Sequence, residues 1–274
     1  MVGTDLREAL TLRDEPVAAL TKSDLDITDS RCVTTLVAEA RPDVIVNCAA
    51  YTKVDQAESE ESAATAINGS AVEFLAQAAN EAGALLVQIS TDFVFDGSKR
   101  APYEIDDPTN PLSAYGRSKL MGETAARHAA KHLIVRTSWL FGVHGWNFVE
   151  AIRKQVRLGT KPLRVVNDQR GRPTYTPHLA EAVIRMVAND ARGIVHYADA
   201  DECTWYDFAC AIAPEAEIVP VSTDEFPRPA PRPAYSVLST ERYERLTGVT
   251  PASWREGLRE YLRASDTRHS PPPP

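Results

Sequence analysis

Tyr115-Gly-Arg-Ser-Lys119, a short stretch after Ser90-Thr91-Asp92, combines the residue types that proton transfer to a carbonyl requires. A Tyr and a Lys at i and i+4 share one face of a helix, with their heads in reach of a common ligand. The ammonium of Lys119 is expected to favour the phenolate of Tyr115 and to draw its high pKa toward neutrality. Tyr115 then serves as a general acid toward a ketone oxygen, while the Thr91 hydroxyl polarises the same oxygen. Lys119 keeps donors over for a nucleotide ribose. A single Tyr-x-x-x-Lys carries little weight in a chain with nine Tyr, so its meaning depends on the elements that place it. For Thr91 the plainer alternative is satisfaction of backbone groups at a strand end.

Those elements follow an α/β rhythm. Apolar runs at 17–21, 43–48, 84–90 and 132–137 predict buried strands, and residues 30–40, 62–82 and 112–130 predict helices. Strands this apolar, alternating with helices, imply a doubly wound parallel sheet covered on both faces. In such sheets ligands sit at the carboxyl ends of the strands. Residues 47–52, 90–92 and 138–139 all fall at those ends, so separate strand ends converge on one crevice.

The second half reads as a smaller substrate lobe. Helices are expected at 148–158 and 177–189, a strand at 193–197, and a helix through Cys210 with Thr204 as its N-cap. Pro227-Arg-Pro-Ala-Pro-Arg-Pro233 cannot be regular helix or central strand and predicts an extended crossing. Its Arg228 and Arg232 could approach a diphosphate or remain solvated loop cations. Residues 254–262 close the fold as an amphipathic helix. The expected division is a dinucleotide-binding domain over 1–145, a lobe mainly binding substrate over 146–265 with the chain crossing between lobes, and a disordered tail over 266–274.

Beyond spacing, several blocks carry a family resemblance: Arg41-Pro-Asp-Val-Ile-Val-Asn-Cys-Ala-Ala-Tyr-Thr-Lys-Val-Asp55, Ser90-Thr-Asp-Phe-Val-Phe-Asp-Gly97 and Asn110-Pro-Leu-Ser-Ala-Tyr-Gly-Arg-Ser-Lys119. Arg136-Thr-Ser-Trp-Leu-Phe-Gly142, Asn167-Asp-Gln-Arg-Gly-Arg-Pro-Thr174 and Arg232-Pro-Ala-Tyr-Ser-Val-Leu238 follow in the same order. The chain resembles the dTDP-4-dehydrorhamnose reductases within the extended short-chain dehydrogenase/reductase superfamily. The resemblance implies a Rossmann-like fold and NAD(P)H-dependent reduction of the C4 ketone of a dTDP-linked 6-deoxy-hexose. It makes Tyr115 the proton donor, Lys119 the holder of the nicotinamide ribose and Thr91 the polarising group. It places Asp92 and Trp139 beside the substrate, and Asp26, Ile27, Ala49, Ala50, Tyr51 and Thr52 along the cofactor. Trp139 has the alternative of a core aromatic, and Asp26 that of a turn carboxylate.

Two departures from the family stand out. Phe93 replaces a frequent Tyr, removing one hydroxyl near the substrate. It also disfavours the related 4,6-dehydratases, which place Glu there. The family's first strand and the first glycines of its Gly-x-x-Gly-x-x-Gly turn have no counterpart, and Met1 and Val2 match only the end of that turn. The explanation favoured by the intact later blocks is a start upstream of Met1, the other being a truncated chain that binds dinucleotide weakly. After the second expected strand stand Leu20-Thr-Lys-Ser23, where a carboxylate would select NADH; Lys22 suits the 2′-phosphate of NADPH, with a solvated loop lysine and NADH as the alternatives.

Composition fits a soluble cytoplasmic enzyme: 274 residues, a net charge of −8, no basic run for nucleic acid and no apolar run long enough for a membrane. The four Cys and six His show neither Cys-x-x-Cys nor His-x-x-x-His spacing, so no metal is expected. The partner expected is the dTDP-sugar, with a homodimer left open. The competing class is a non-catalytic subunit of the same fold, like the regulatory subunit of methionine adenosyltransferase; Thr91, Tyr115 and Lys119 argue against it, since a scaffold has no need of that trio. Another nucleotide-sugar epimerase or reductase is the enzyme alternative.

Overall fold

The computed structural model describes residues 1–269. Its central sheet is parallel, with β1 (Val44–Asn47), β2 (Leu85–Thr91) and β3 (His132–Thr137) side by side and the strand Gly193–His196 beyond β3. The register aligns Val44 with Leu85 and Thr91 with Thr137, which brings the carboxyl ends of β2 and β3 level. Every residue of β2 is buried, and alternation divides its side chains between two cores. Leu85, Val87 and Ile89 join Leu133 and Val135 beneath the helices Val2–Thr11 (α1) and Thr176–Ala188. Leu86 and Ile134 face the other way, into the core made by Ser30–Ala40 (α2) and Ala71–Ala82. This is the doubly covered parallel sheet that the apolar runs predict.

Three expectations are corrected. The run at 17–21 is not a strand: it forms no ladder among the described residues, and Val17 and Leu20 stay 40% and 47% exposed. Its end turns instead of pairing: the Thr21 N–H donates to Asp24 Oδ2 at 2.8 Å, and the Thr21 carbonyl accepts from the Asp24 and Leu25 N–H groups at 3.0 Å. The single helix expected over 62–82 is broken into Glu61–Thr65, a π-turn Ala66–Ser70 and Ala71–Ala82. Close packing accompanies the break, because a Cβ on Gly122 would lie 2.1 Å from the Asn68 carbonyl oxygen. The last helix runs over Trp254–His269, past the expected end at 262 and into the segment expected to be disordered; residues 270–274 of that tail lie outside the described residues.

The second half builds its own core around Phe141, Phe208, Trp254 and Tyr261, with Leu163–Val166 paired to Ile218–Val221. It also returns Gly193–His196 to the central sheet. Thr204 is the N-cap of Trp205–Ile212, in a capping box with Asp207. Residues 227–233 form neither helix nor strand. Their arginines do not point to a free diphosphate site: Arg232 donates to Asp55 Oδ1 at 2.9 Å, and Arg228 lies 4.0 Å from Asp55 Oδ2. No helix among the described residues is long and apolar enough to cross a membrane.

Candidate active site

β2 ends in Thr91 and Asp92, both buried. The Thr91 hydroxyl accepts from the Phe93 backbone N–H at 3.2 Å and donates to Asp92 Oδ1 at 3.0 Å. Thr91 therefore does cap the turn Asp92–Val94, and the hydroxyl stays at the strand end where a ligand would meet it. Asp92 Oδ2 has no hydrogen-bond partner. Burial pushes the Asp92 carboxyl up to about 6, against the Ser236 and Thr91 hydroxyls that favour its charge.

The helix Ala114–Ala126 starts on Ser113, whose side chain accepts from the Gly116 N–H at 3.1 Å. Gly116 is required there, since a Cβ would stand 2.3 Å from the Phe93 carbonyl oxygen. This close approach brings Tyr115 against the β2 turn, with Phe93 edge-on to its ring at 5.8 Å. One turn on, Lys119 is buried and donates to the Ile89 carbonyl at 2.6 Å. Burial draws its ammonium down to about 8, opposed by Glu123.

The expected pull of Lys119 on Tyr115 is not found. The phenol is pushed up to about 12, by burial first, with the neighbouring Asp92 charge adding to it and the Thr91 hydroxyl opposing. A phenolate stripped of water beside a carboxylate costs more than a lysine facing a backbone carbonyl can offset. Tyr115 consequently holds its proton.

Several supporting residues carried no motif. Glu123 takes Arg136 in a bidentate pair, both contacts at 2.8 Å, and accepts from the Ser90 hydroxyl at 2.6 Å, all buried. Asn68, in the π-turn, accepts from the Tyr51 N–H at 2.8 Å and donates to Ser118 Oγ at 2.9 Å. It so ties the 49–52 loop to the Tyr115 helix. Only long-range packing reveals these roles.

Of the proposed cofactor residues, Ala49 donates its N–H to Asn47 Oδ1 at 3.1 Å, and the Tyr51 ring packs with Tyr115 around Ala57, Ala64 and Ala114. Ala50 is half-buried and Thr52 exposed on the same loop. Met1 and Val2 open α1, whose Gly3 would place a Cβ 3.3 Å from Cys48 Cβ, so the helix starts against the end of β1. Asp26 is exposed and accepts from the N–H and hydroxyl of Thr28 at 3.0 and 2.7 Å, the turn-carboxylate geometry. Ile27 packs on the core beneath α2, and Lys22 is exposed in the turn before Asp26. Neither Lys22 nor Asp26 makes a hydrogen bond to the Tyr115 crevice among the described residues.

Trp139 follows Thr137, the register partner of Thr91, by two residues. It has φ of +47° and stacks on Trp205 with centroids 3.5 Å apart. Gly171 lies beneath it, where a Cβ would meet the indole at 2.5 Å. Trp139 is thus partly core, as its alternative held, while standing at the end of β3. Elsewhere, ligand atoms of Asp5, Glu8 and His144 gather within 4.8 Å, a grouping that Cys and His spacing did not foreshadow.

Comparison with known proteins agrees with this layout. The family model described as the RmlD substrate binding domain matches residues 1–267. The spore coat polysaccharide biosynthesis protein SpsK of Bacillus subtilis is 44% identical over 96% of this chain and 93% of its own length. A dTDP-4-dehydrorhamnose reductase of Streptomyces griseus is 41% identical over 100% of this chain and 94% of its own. The crystal structure of dTDP-4-dehydrorhamnose reductase from Bacillus anthracis, in complex with NADP, superposes with a TM-score of 0.92 at 37% identity, covering 96% of this chain and 95% of that one.

Proposed function

The chain belongs to the RmlD substrate binding domain family, and we propose from that membership and the crevice geometry that it is an NADPH-dependent reductase of the C4 ketone of a dTDP-4-dehydro-6-deoxy-hexose, converting dTDP-4-dehydrorhamnose to dTDP-rhamnose. The observation that carries the reading is a protonated phenol, Tyr115, beside the Thr91 hydroxyl at the end of β2, with a buried lysine one helical turn away. A scaffold protein has no physical use for a desolvated phenol and ammonium kept this close.

The residues present fit a dinucleotide. The first amides of α1, which no helical turn can satisfy, lie against the end of β1 and suit a phosphate. Lys119 spends one donor on Ile89 and keeps two for ribose hydroxyls. Ala49, Ala50, Tyr51 and Thr52 line the next strand end, and Asp26, Ile27 and Lys22 serve the adenosine side, with the Lys22 cation favouring a 2′-phosphate. The bound reduced nicotinamide supplies the hydride for C4.

The protein's own part is proton delivery and charge stabilisation. The Thr91 hydroxyl, which donates its one proton to Asp92 Oδ1 in this structure, turns that proton to the ketone oxygen when substrate binds and meets the charge developing there. Tyr115, neutral at physiological pH, delivers its proton to the same oxygen as the alkoxide forms. Lys119, one turn away in the same helix, is held on the Ile89 carbonyl and has the ribose as its partner; because the phenolate is costly in this buried site, Tyr115 takes its proton back from solvent after the transfer. Phe93 has no acid or base function, which leaves the site without the carboxylate that dehydration would use. Trp139 walls the sugar side and Asp92 lies against the substrate from the same turn as Phe93.

The test is incubation of the protein with NADPH and dTDP-4-dehydrorhamnose, following nicotinamide absorbance and identifying the sugar product. Sugar-dependent NADPH oxidation yielding dTDP-rhamnose supports the reading. Cofactor binding with no sugar-dependent oxidation rejects it.

A further inference from the structure

The Arg172 side chain makes no hydrogen bond among the described residues. The atom Nε is buried and makes no hydrogen bond, and the guanidinium makes no ion pair among the described residues. Other arginines of this half of the site are engaged: Arg170, two residues before Arg172, with Glu202 at 3.3 Å, and Arg232 with Asp55 at 2.9 Å. A buried polar group left without a partner is costly, and a guanidinium more so, unless a ligand completes it.

Its place in the fold suggests which ligand. Ser138, next to Trp139 at the end of β3, donates its hydroxyl to the Arg172 carbonyl at 2.7 Å. Gly171, the preceding residue, lies under the Trp139 indole. On its other side Arg172 lies near Tyr235 and in the field of the Glu202, Asp201 and Glu244 carboxylates, none of which is bonded to it. Glu202 and Tyr235 line a cavity of about 510 Å³ that also holds Lys99, Arg100 and Arg170 on its walls. Arg172 therefore stands between the sugar-side tryptophan and a cavity, large enough for a small ligand, whose Lys99 and Arg170 are paired with Asp107 and Glu202 and whose third cation is Arg100.

We infer that Arg172 binds the diphosphate that joins the sugar to its nucleoside, with the nucleoside end directed toward the Lys99–Tyr235 cavity. The guanidinium fork matches two phosphate oxygens at once, which a lysine cannot do. Burial already disfavours the free cation, so an anion gains from meeting it and neutral sugars do not. Arg172 is then a determinant of nucleotide-linked over free sugar, and this rests on the nucleotide-sugar reading given above.

Calorimetric titration of thymidine diphosphate into the NADPH-loaded protein tests it, comparing wild type with Arg172→Gln and Arg172→Lys. The expected result is a roughly ten- to hundredfold weaker affinity in Arg172→Gln, with Arg172→Lys between the two and NADPH affinity unchanged in all three. Thymidine diphosphate affinity in Arg172→Gln equal to wild type overturns the inference. Sugar turnover by wild type, measured in parallel, reports on the reductase reading alone. Arg172-dependent diphosphate binding without turnover refutes only that reading, and turnover with an undiminished affinity in Arg172→Gln refutes only the role of Arg172.

Discussion

Lys119 donates to the Ile89 carbonyl at 2.6 Å, anchoring the Tyr115 helix directly to the strand that carries Thr91. The contact fixes the ammonium where a ribose would reach it, at the expense of burying a charge. Its pKa falls to about 8 in consequence. NADPH affinity and kcat/KM are both expected to decline as pH rises through about 8, because the cation that holds the ribose is lost. The stability effect has the opposite sign. A lysine whose folded pKa lies below its unfolded value of 10.5 penalises the fold fully below about 8, and the penalty fades between the two values. Cofactor titrations across pH 6.5 to 9.5 check this, and an affinity that is flat with pH would contradict the ribose contact.

Tyr115→Phe should leave NADPH affinity near wild type while lowering kcat by roughly 10²- to 10⁴-fold, since only the proton donor is removed. The phenol titrates near 12, so no loss of activity from Tyr115 ionisation is expected at any pH the protein tolerates. Steady-state kinetics and cofactor fluorescence together make the comparison. Wild-type turnover in the variant would remove Tyr115 from its assigned role.

Asp92 gives a prediction of stability. A carboxyl raised from 3.8 to about 6 by burial disfavours the fold increasingly as pH climbs through that window, and fully above it. Asp92→Asn keeps the volume without the charge, and should stabilise the protein by up to about 3 kcal/mol at pH 7. At about pH 3 or below the two proteins should unfold alike, because Asp92 is then neutral when folded and largely so when unfolded. Denaturant curves at the two pH values decide it; a gain that is the same at both would point to packing and not charge.

Gly122→Ala should destabilise by about 1–3 kcal/mol, because its Cβ would enter the space of the Asn68 carbonyl at 2.1 Å. Asn68 also ties the Tyr51 loop to Ser118, so cofactor affinity should fall along with stability. Thermal unfolding and NADPH titration of the variant measure the two effects. An unchanged midpoint would mean that the π-turn yields freely.

The central sheet was legible because β2 and β3 are continuous apolar runs between amphipathic helices. The Tyr115–Lys119 pair was legible because its spacing is local and its motif recurs in a known family. The run at 17–21 misled, since apolar character predicts a strand only where a neighbouring strand supplies the ladder. The π-turn at Ala66–Ser70 was invisible because its packing partner, Gly122, is some fifty residues away. Tyr115 acidity was misjudged for a related reason: helical spacing sets Lys119 nearby, but burial and Asp92, which only the tertiary fold reveals, outweigh it. Arg172 carried no local signal either, as its lack of a partner depends on where every other carboxylate lies.

The central claim is direct hydride delivery to the sugar C4, and isotope transfer tests it most directly. NADPH carrying deuterium on the transferring face of nicotinamide C4 is supplied with dTDP-4-dehydrorhamnose, and the product is read by NMR. The account predicts dTDP-rhamnose with deuterium at C4 and none elsewhere on the ring. A product without deuterium at C4, or NADPH left unconsumed in the presence of the sugar, would contradict it.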